Sequence, residues 1–169
     1  FAPAELRAIV AAGTRNPEYR ALGACAATGC RIGEALALAR DSYDVKTARL
    51  TISGTKTRSH GIGTPKSARS ARVITVLQHA RKLFALGVPR VSYVVAYRRW
   101  EQLLAELKLR PRNLRQVRHS WASHMAAKKV PIADLAAYLG DSVEVLVRTY
   151  VHPTGYPVHE AMERLFDGK

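Results

Sequence analysis

Apolar periodicity in this chain changes once and then changes back, and that interruption bounds the folds open to it. From residue 3 to 39, and again from 77 onward, apolar side chains recur at three- and four-residue spacing, as on amphipathic helices. Between these stretches, Leu50-Thr51-Ile52-Ser53 and Arg72-Val73-Ile74-Thr75-Val76 alternate and carry β-branched residues, as half-buried strands do. The Gly- and Ser-rich segment separating them is expected to hold a middle strand near residues 60–66. The expected fold class is therefore α+β and mostly α-helical, with a small three-stranded antiparallel sheet.

Start and stop signals sharpen the helices. Pro3 suits a first turn, Leu6, Ile9 and Val10 share a face, and Gly13 reads as the stop. A second helix is expected over residues 17–27, ending near Thr28-Gly29, and a third over 31–39. Helices return at 77–86 and about 94–107. Asn113 is a good cap for the next, in which Leu114, Val117, Trp121 and Met125 recur at core spacing. Pro131 opens a helix that Gly140 closes. Asp141 or Ser142 caps its successor, which carries Val143, Leu146, Val147 and Tyr150, and a short last helix is expected from Pro157 to about Asp167. No repeat or inter-domain linker is evident.

At 169 residues the chain fits one domain with a proper core. Lys and Arg outnumber Asp and Glu by 27 to 13, a net charge of +14, which predicts a polyanionic partner or an anionic surface. The charge is also segregated. No acidic residue lies between Asp44 and Glu101, where twelve Lys and Arg occur. A second acid-free stretch, Leu107 to Ala133, carries seven more. Together they make a surface suited to a duplex backbone. Cys25 and Cys30 have neither disulfide-framework nor zinc-site spacing, and the His residues lack a metal-binding context, so no metal or other cofactor is expected. No apolar run has the length of a membrane span and no signal-peptide layout opens the chain, which predicts an intracellular protein with no membrane partner. Because the first residues read as the entry to a helix, an upstream domain is expected to be missing.

Four short segments then stand out in order: Thr28-Gly29-Cys30-Arg31-Ile32-Gly33-Glu34, Pro65-Lys66-Ser67-Ala68-Arg69-Ser70-Ala71-Arg72, Arg115-Gln116-Val117-Arg118-His119, and Leu139-Gly140-Asp141-Ser142 leading to Tyr150-Val151-His152. Together they resemble the catalytic domain of tyrosine recombinases, the phage integrase family, over nearly the whole chain. The chemistry suits the residue types. Tyrosine attack on phosphorus conserves bond energy in a phosphotyrosyl ester. Arginine's planar, permanently charged fork matches non-bridging oxygens. Lysine can protonate a leaving oxygen once neighbouring cations lower its pKa.

The resemblance implies that Tyr150 is the nucleophile, with Tyr156 and Tyr138 as weaker fallbacks. It implies that Arg31 and Arg118 clamp the phosphate with Arg115 beside them, that Glu34 orients Arg31, and that Lys66 is the general acid, with Lys56 its rival. Lys56, Arg58, Arg69, Arg72 and Arg112 are expected on DNA, and His119 to buttress its helix. Two positions depart from the family: Arg115 stands where His is usual, and Asp141 where His or Trp donates to the phosphate. An ionised Asp cannot donate, so Asp141 is expected to cap a helix, with the missing hydrogen bond either supplied from elsewhere, His152 being the candidate, or absent.

The implied activity is metal-independent cleavage and rejoining of double-stranded DNA through a 3′-phosphotyrosine, in the bacterial host cytoplasm. The implied assembly is a homo-tetramer on DNA, with residues 157–169 packing in cis or in trans, and with room for an accessory DNA-bending protein. A type IB topoisomerase-like enzyme and a non-catalytic DNA-binding relative are the alternatives.

Overall fold

The computed structural model describes residues 1–58, 61–63 and 70–150, with Tyr150 as backbone only. The expected final helix, Lys66, Arg69, His152 and Tyr156 lie outside the described residues. Helix α1, Pro3–Arg15, runs into a 3₁₀ turn, Pro17–Tyr19, and α2, Arg20–Thr28. Gly13, expected as a stop, lies inside α1. A Cβ there would stand 3.0 Å from the Gly23 Cα, so the two glycines let α1 and α2 approach closely. The helix runs two residues past Gly13 and the chain turns directly after it, where the Asn16 carboxamide accepts from the Glu18 N–H at the start of the 3₁₀ turn.

After α3, Ile32–Ala37, come five short strands: β1 Tyr43–Asp44, β2 Arg49–Ile52, β3 Thr55–Lys56, β4 Ile62–Gly63 and β5 Arg72–Thr75. The sheet is three-stranded and antiparallel, as expected, but in the order β1-β2-β5, with Leu50 opposite Ile74. The strand expected near residues 60–66 is not its middle member. Ile62–Gly63 pairs with Thr55–Lys56 in a separate ladder. The true third strand is only two residues long, too short to alternate visibly. It enters through a turn in which Asp44 accepts from the Lys46 N–H and the Thr47 hydroxyl. Along β2, Leu50 and Ile52 face the core while Arg49 and Thr51 are exposed, the period-2 pattern of a one-sided sheet.

Helices α4 Gln78–Ala85, α5 Tyr93–Glu106, α6 Arg115–Ala127, α7 Ile132–Leu139 and α8 Val143–Tyr150 follow. Asn113, expected as the cap of α6, sits one residue early: Leu114 takes the N-cap position without a side-chain cap bond, and the Asn113 side chain accepts from the Arg115 N–H at 2.9 Å in the turn leading in. The main core gathers Ile9, Leu22, Leu36, Leu50, Leu83, Leu103 and Val117, each such side chain worth roughly 1.5–3 kcal/mol when buried. A smaller cluster joins Ala122 of α6 to Leu135, Ala136 and Leu139 of α7 and Leu146 of α8, with Trp121 and Met125 packed against it as expected. Of the apolar residues expected on α8, Leu146 is buried, whereas Val143 and Val147 are exposed. Among the described residues no helix is long and apolar enough to cross a membrane.

Candidate active site

A cleft of about 1000 Å³ opens along the seam between the two apolar clusters. Its walls come from the end of α2 and start of α3, from β3, from the first turns of α5 and α6, and from the α7–α8 junction. Two helix ends build its floor. Gly29 and Gly140 close α2 and α7 in the left-handed conformation, at φ 68° and 69°, which glycine adopts without a Cβ penalty. A Cβ on Gly140 would also stand 2.7 Å from Arg72 Nη1. The two caps leave carbonyls at the negative ends of their helices, where cationic side chains are favoured.

Three arginines take that offer at α7, on successive carbonyls. Arg72 Nε donates to Tyr138 O at 2.7 Å, Arg118 Nη2 to Leu139 O at 2.9 Å, and Arg31 Nη1 to Gly140 O at 3.5 Å. Arg118 Nη1 also donates to Gly29 O at 2.9 Å, tying the ends of α2 and α7 together. Glu34, buried one turn into α3, accepts from the Arg31 N–H and Nη1 at 2.9 Å each and from Arg72 Nη2 at 2.9 Å. Burial pushes its carboxyl up, but Arg72 first and Arg31 after it outweigh this and hold it below the ordinary value of 4.5. Asp141 completes the cluster. One carboxylate oxygen accepts from Arg31 Nη2 and the other from Arg118 Nη2 at 2.5 Å.

The structure therefore brings Arg31, Glu34, Arg118 and Asp141 to one point, and places Arg115 and His119 on the same wall. His119 is exposed along the cleft. Asp141 is not the cap of α8: Ser142 Oγ accepts from the Val145 N–H at 3.3 Å, and the Asp141 N–H finishes α7 on Ala136 O. Tyr150 ends α8, next to Thr149, which lines the cleft. The fallback Tyr138 is stacked on Trp121 at 5.0 Å, and burial pushes its phenol up to about 12, which makes it a poor nucleophile.

Three residues expected on DNA have other duties. The Arg72 side chain is only 7% exposed and is held by Glu34 and the carbonyls of Tyr138 and Ser70. Arg112 pairs with Glu5 and lies 3.6 Å over the Phe1 ring, tying the segment before α6 to α1. Lys56 Nζ donates to Val91 O at 2.8 Å. Arg58, by contrast, is exposed just past β3.

The sequence reading missed the stacked pair Tyr93 and Tyr97, with centroids 5.4 Å apart, which line the cleft from α5. Their four-residue spacing directly after the cap Ser92 was the available signal. It also missed buried Cys25 and Cys30 beneath Arg31. The hydrogen bond with Cys30, and then burial, push the Cys25 thiol well up, so it stays neutral.

The model of the phage integrase family matches residues 2–155. The Tn1549 transposon integrase, solved with transposon right end DNA, superposes with a TM-score of 0.76 at 17% identity, over 98% of this chain and 65% of that one. The same integrase with circular intermediate DNA gives 0.76 at 17% identity, over 98% and 66%. The XerA recombinase gives 0.67 at 15% identity, over 98% and 63%. The chain thus spans about two thirds of the length of these structures' chains. No curated protein matches.

Proposed function

The chain belongs to the phage integrase family, and from that premise we propose that it is the catalytic part of a site-specific DNA recombinase. The observation that carries this reading is the convergence of Arg31 and Arg118 on one anionic group at the end of α7. Two forks aimed at two oxygens of one centre are what a phosphodiester needs as it becomes a five-coordinate, more negative transition state. The arginines are held in advance by helix-end carbonyls and Glu34, so little reorganisation accompanies the reaction.

In this mechanism the Tyr150 phenolate oxygen attacks phosphorus and the P–O5′ bond breaks. The products are a 3′-phosphotyrosyl ester and a 5′-hydroxyl, whose proton comes from Lys66. Arg31 and Arg118 neutralise the non-bridging oxygens, and exposed Arg115 adds charge at the rim. Religation on a second duplex reverses the step, so no metal or high-energy cofactor is needed. Double-stranded DNA is the partner, in keeping with the DNA complexes of the Tn1549 integrase. Exchange between duplexes calls for a tetramer on DNA in the bacterial cytoplasm, which separates this reading from a monomeric topoisomerase. A second reading, a DNA-binding relative without catalysis, is favoured by one observation: Asp141 places a negative charge where the phosphate would sit.

The test is a nicked suicide duplex carrying the exchange site, incubated with the full-length protein without metal and run on a denaturing gel. The wild type is expected to give a covalent protein–DNA band and Tyr150→Phe none. A wild type that binds this DNA and never forms the band contradicts the catalytic reading.

A further inference from the structure

We infer that Asp141 is a built-in stand-in for the scissile phosphate: in the DNA-free protein its carboxylate fills the seat between Arg31 and Arg118, and DNA must displace it. This rests on reading the two arginines as a phosphate clamp, but not on cleavage taking place.

A carboxylate and a phosphodiester each present two oxygens on one centre and carry one negative charge, and arginine binds both through the same fork. The Asp141 oxygens divide between the two Nη2 atoms, one to Arg31 and one to Arg118. Those nitrogens cannot serve a phosphate in full while the carboxylate remains.

The backbone places the side chain there and leaves it free to withdraw. Gly140 N–H bonds to Ala136 O and Ala137 O, and Asp141 N–H to Ala136 O at 3.0 Å, so the C-terminal cap of α7 fixes the Asp141 backbone. Ser142, not Asp141, caps α8. Rotation of the Asp141 side chain therefore breaks neither helix end. The clamp also survives its departure. Arg118 keeps Gly29 O and Leu139 O, and Arg31 keeps Glu34.

Electrostatics set the direction of the effect. Around the seat stand Arg31, Arg72 and Arg118 against Glu34 and Asp141, and Arg72 is taken up by Glu34. Asp141 thus cancels one of the two charges left for a phosphate. An arriving phosphodiester meets a half-neutralised clamp and a carboxylate that repels it until it leaves. DNA phosphates that make only outer contacts would not supply the energy of displacement, and a duplex seated along the basic surface would. Asp141 is accordingly a positioning residue that makes loading of the clamp depend on full seating of the DNA.

The experiment compares Asp141→Asn with Asp134→Asn. Both remove one negative charge, but Asp134 is exposed on α7 and has no part in the clamp. Inorganic phosphate is the probe, titrated by tryptophan fluorescence and by calorimetry. Asp141→Asn is expected to bind phosphate at least about fivefold more tightly than wild type, and Asp134→Asn within about twofold of it. A role limited to holding the arginines predicts weaker binding in Asp141→Asn, and that result, or equal changes in the two variants, overturns the inference.

If Asp141→Asn fails to unfold cooperatively in urea, the wild type decides the matter. The Asp141 carboxyl ¹³C resonance is expected to move as phosphate is added, and an unmoved resonance at saturation overturns the inference. A protein that passes these tests yet never links to DNA contradicts the recombinase reading alone. One that cleaves DNA but shows no Asp141 effect contradicts this inference alone.

Discussion

Arginine meets carboxylate at two ends of this molecule, with different results. At the N-terminal end, Arg112 pairs with Glu5 and covers the Phe1 ring, one cation for one anion on the outside of the main core. At the α7 end, Arg31, Arg72 and Arg118 crowd around Glu34 and Asp141 on three successive helix-end carbonyls, beside an open cleft. The first arrangement is balanced and its groups have nothing left to do. The second gathers more cations than the fold needs and points them at one place. A basic residue's function follows from what consumes its donors, and net charge alone does not distinguish these two ends.

Glu34 offers the hardest way to break the α7 end. Glu34→Gln leaves Arg72 buried without its counter-charge, a change that costs about 3–5 kcal/mol, and urea unfolding at neutral pH would measure it. The pH dependence has a definite sign. The Glu34 carboxyl is held below its ordinary value in the folded chain, so its contribution is complete above 4.5 and disappears as pH falls through the lower folded value. The gap in stability between wild type and Glu34→Gln should therefore narrow in acid, and a gap that widens would contradict the assignment.

Gly140→Ala is expected to come next, at about 2 kcal/mol, from forcing a left-handed residue to carry a Cβ into Arg72. Thermal unfolding would detect it, together with loss of phosphate binding. The balanced end should respond least. Arg112→Ala removes a partly buried ion pair and a cation–π contact, together worth about 1 kcal/mol.

What the sequence revealed follows the range of the physics involved. Long helices with strong periodicity were readable, α5 to within one residue at each end and the start of α6 to within two, because burial of one face decides them. The two-residue strand Tyr43–Asp44 was not, since its place in the sheet depends on a partner rather than on its own pattern. In the site, Arg31, Glu34 and Arg118 were found through resemblance, and the structure brings them together. Arg72 was expected on DNA, and its burial was not legible, because a sequence shows a charge and not the carbonyls of Tyr138 and Ser70 that engage it. Asp141 looked like a cap because Asp before a helix usually is one. Only the fold shows that two arginines from distant segments reach it first.

The most direct test of the account sets the two ends against each other in one assay. Arg118→Ala and Arg112→Ala remove the same charge from the same protein, and covalent linkage to a nicked suicide duplex is followed per folded molecule. Arg118→Ala should slow linkage by about 10²–10³-fold, as expected when one preorganised donor to the transition state is lost, while Arg112→Ala stays within about threefold of wild type. Equal losses in the two variants would mean that the α7 cluster contributes only bulk positive charge, and the clamp would not stand.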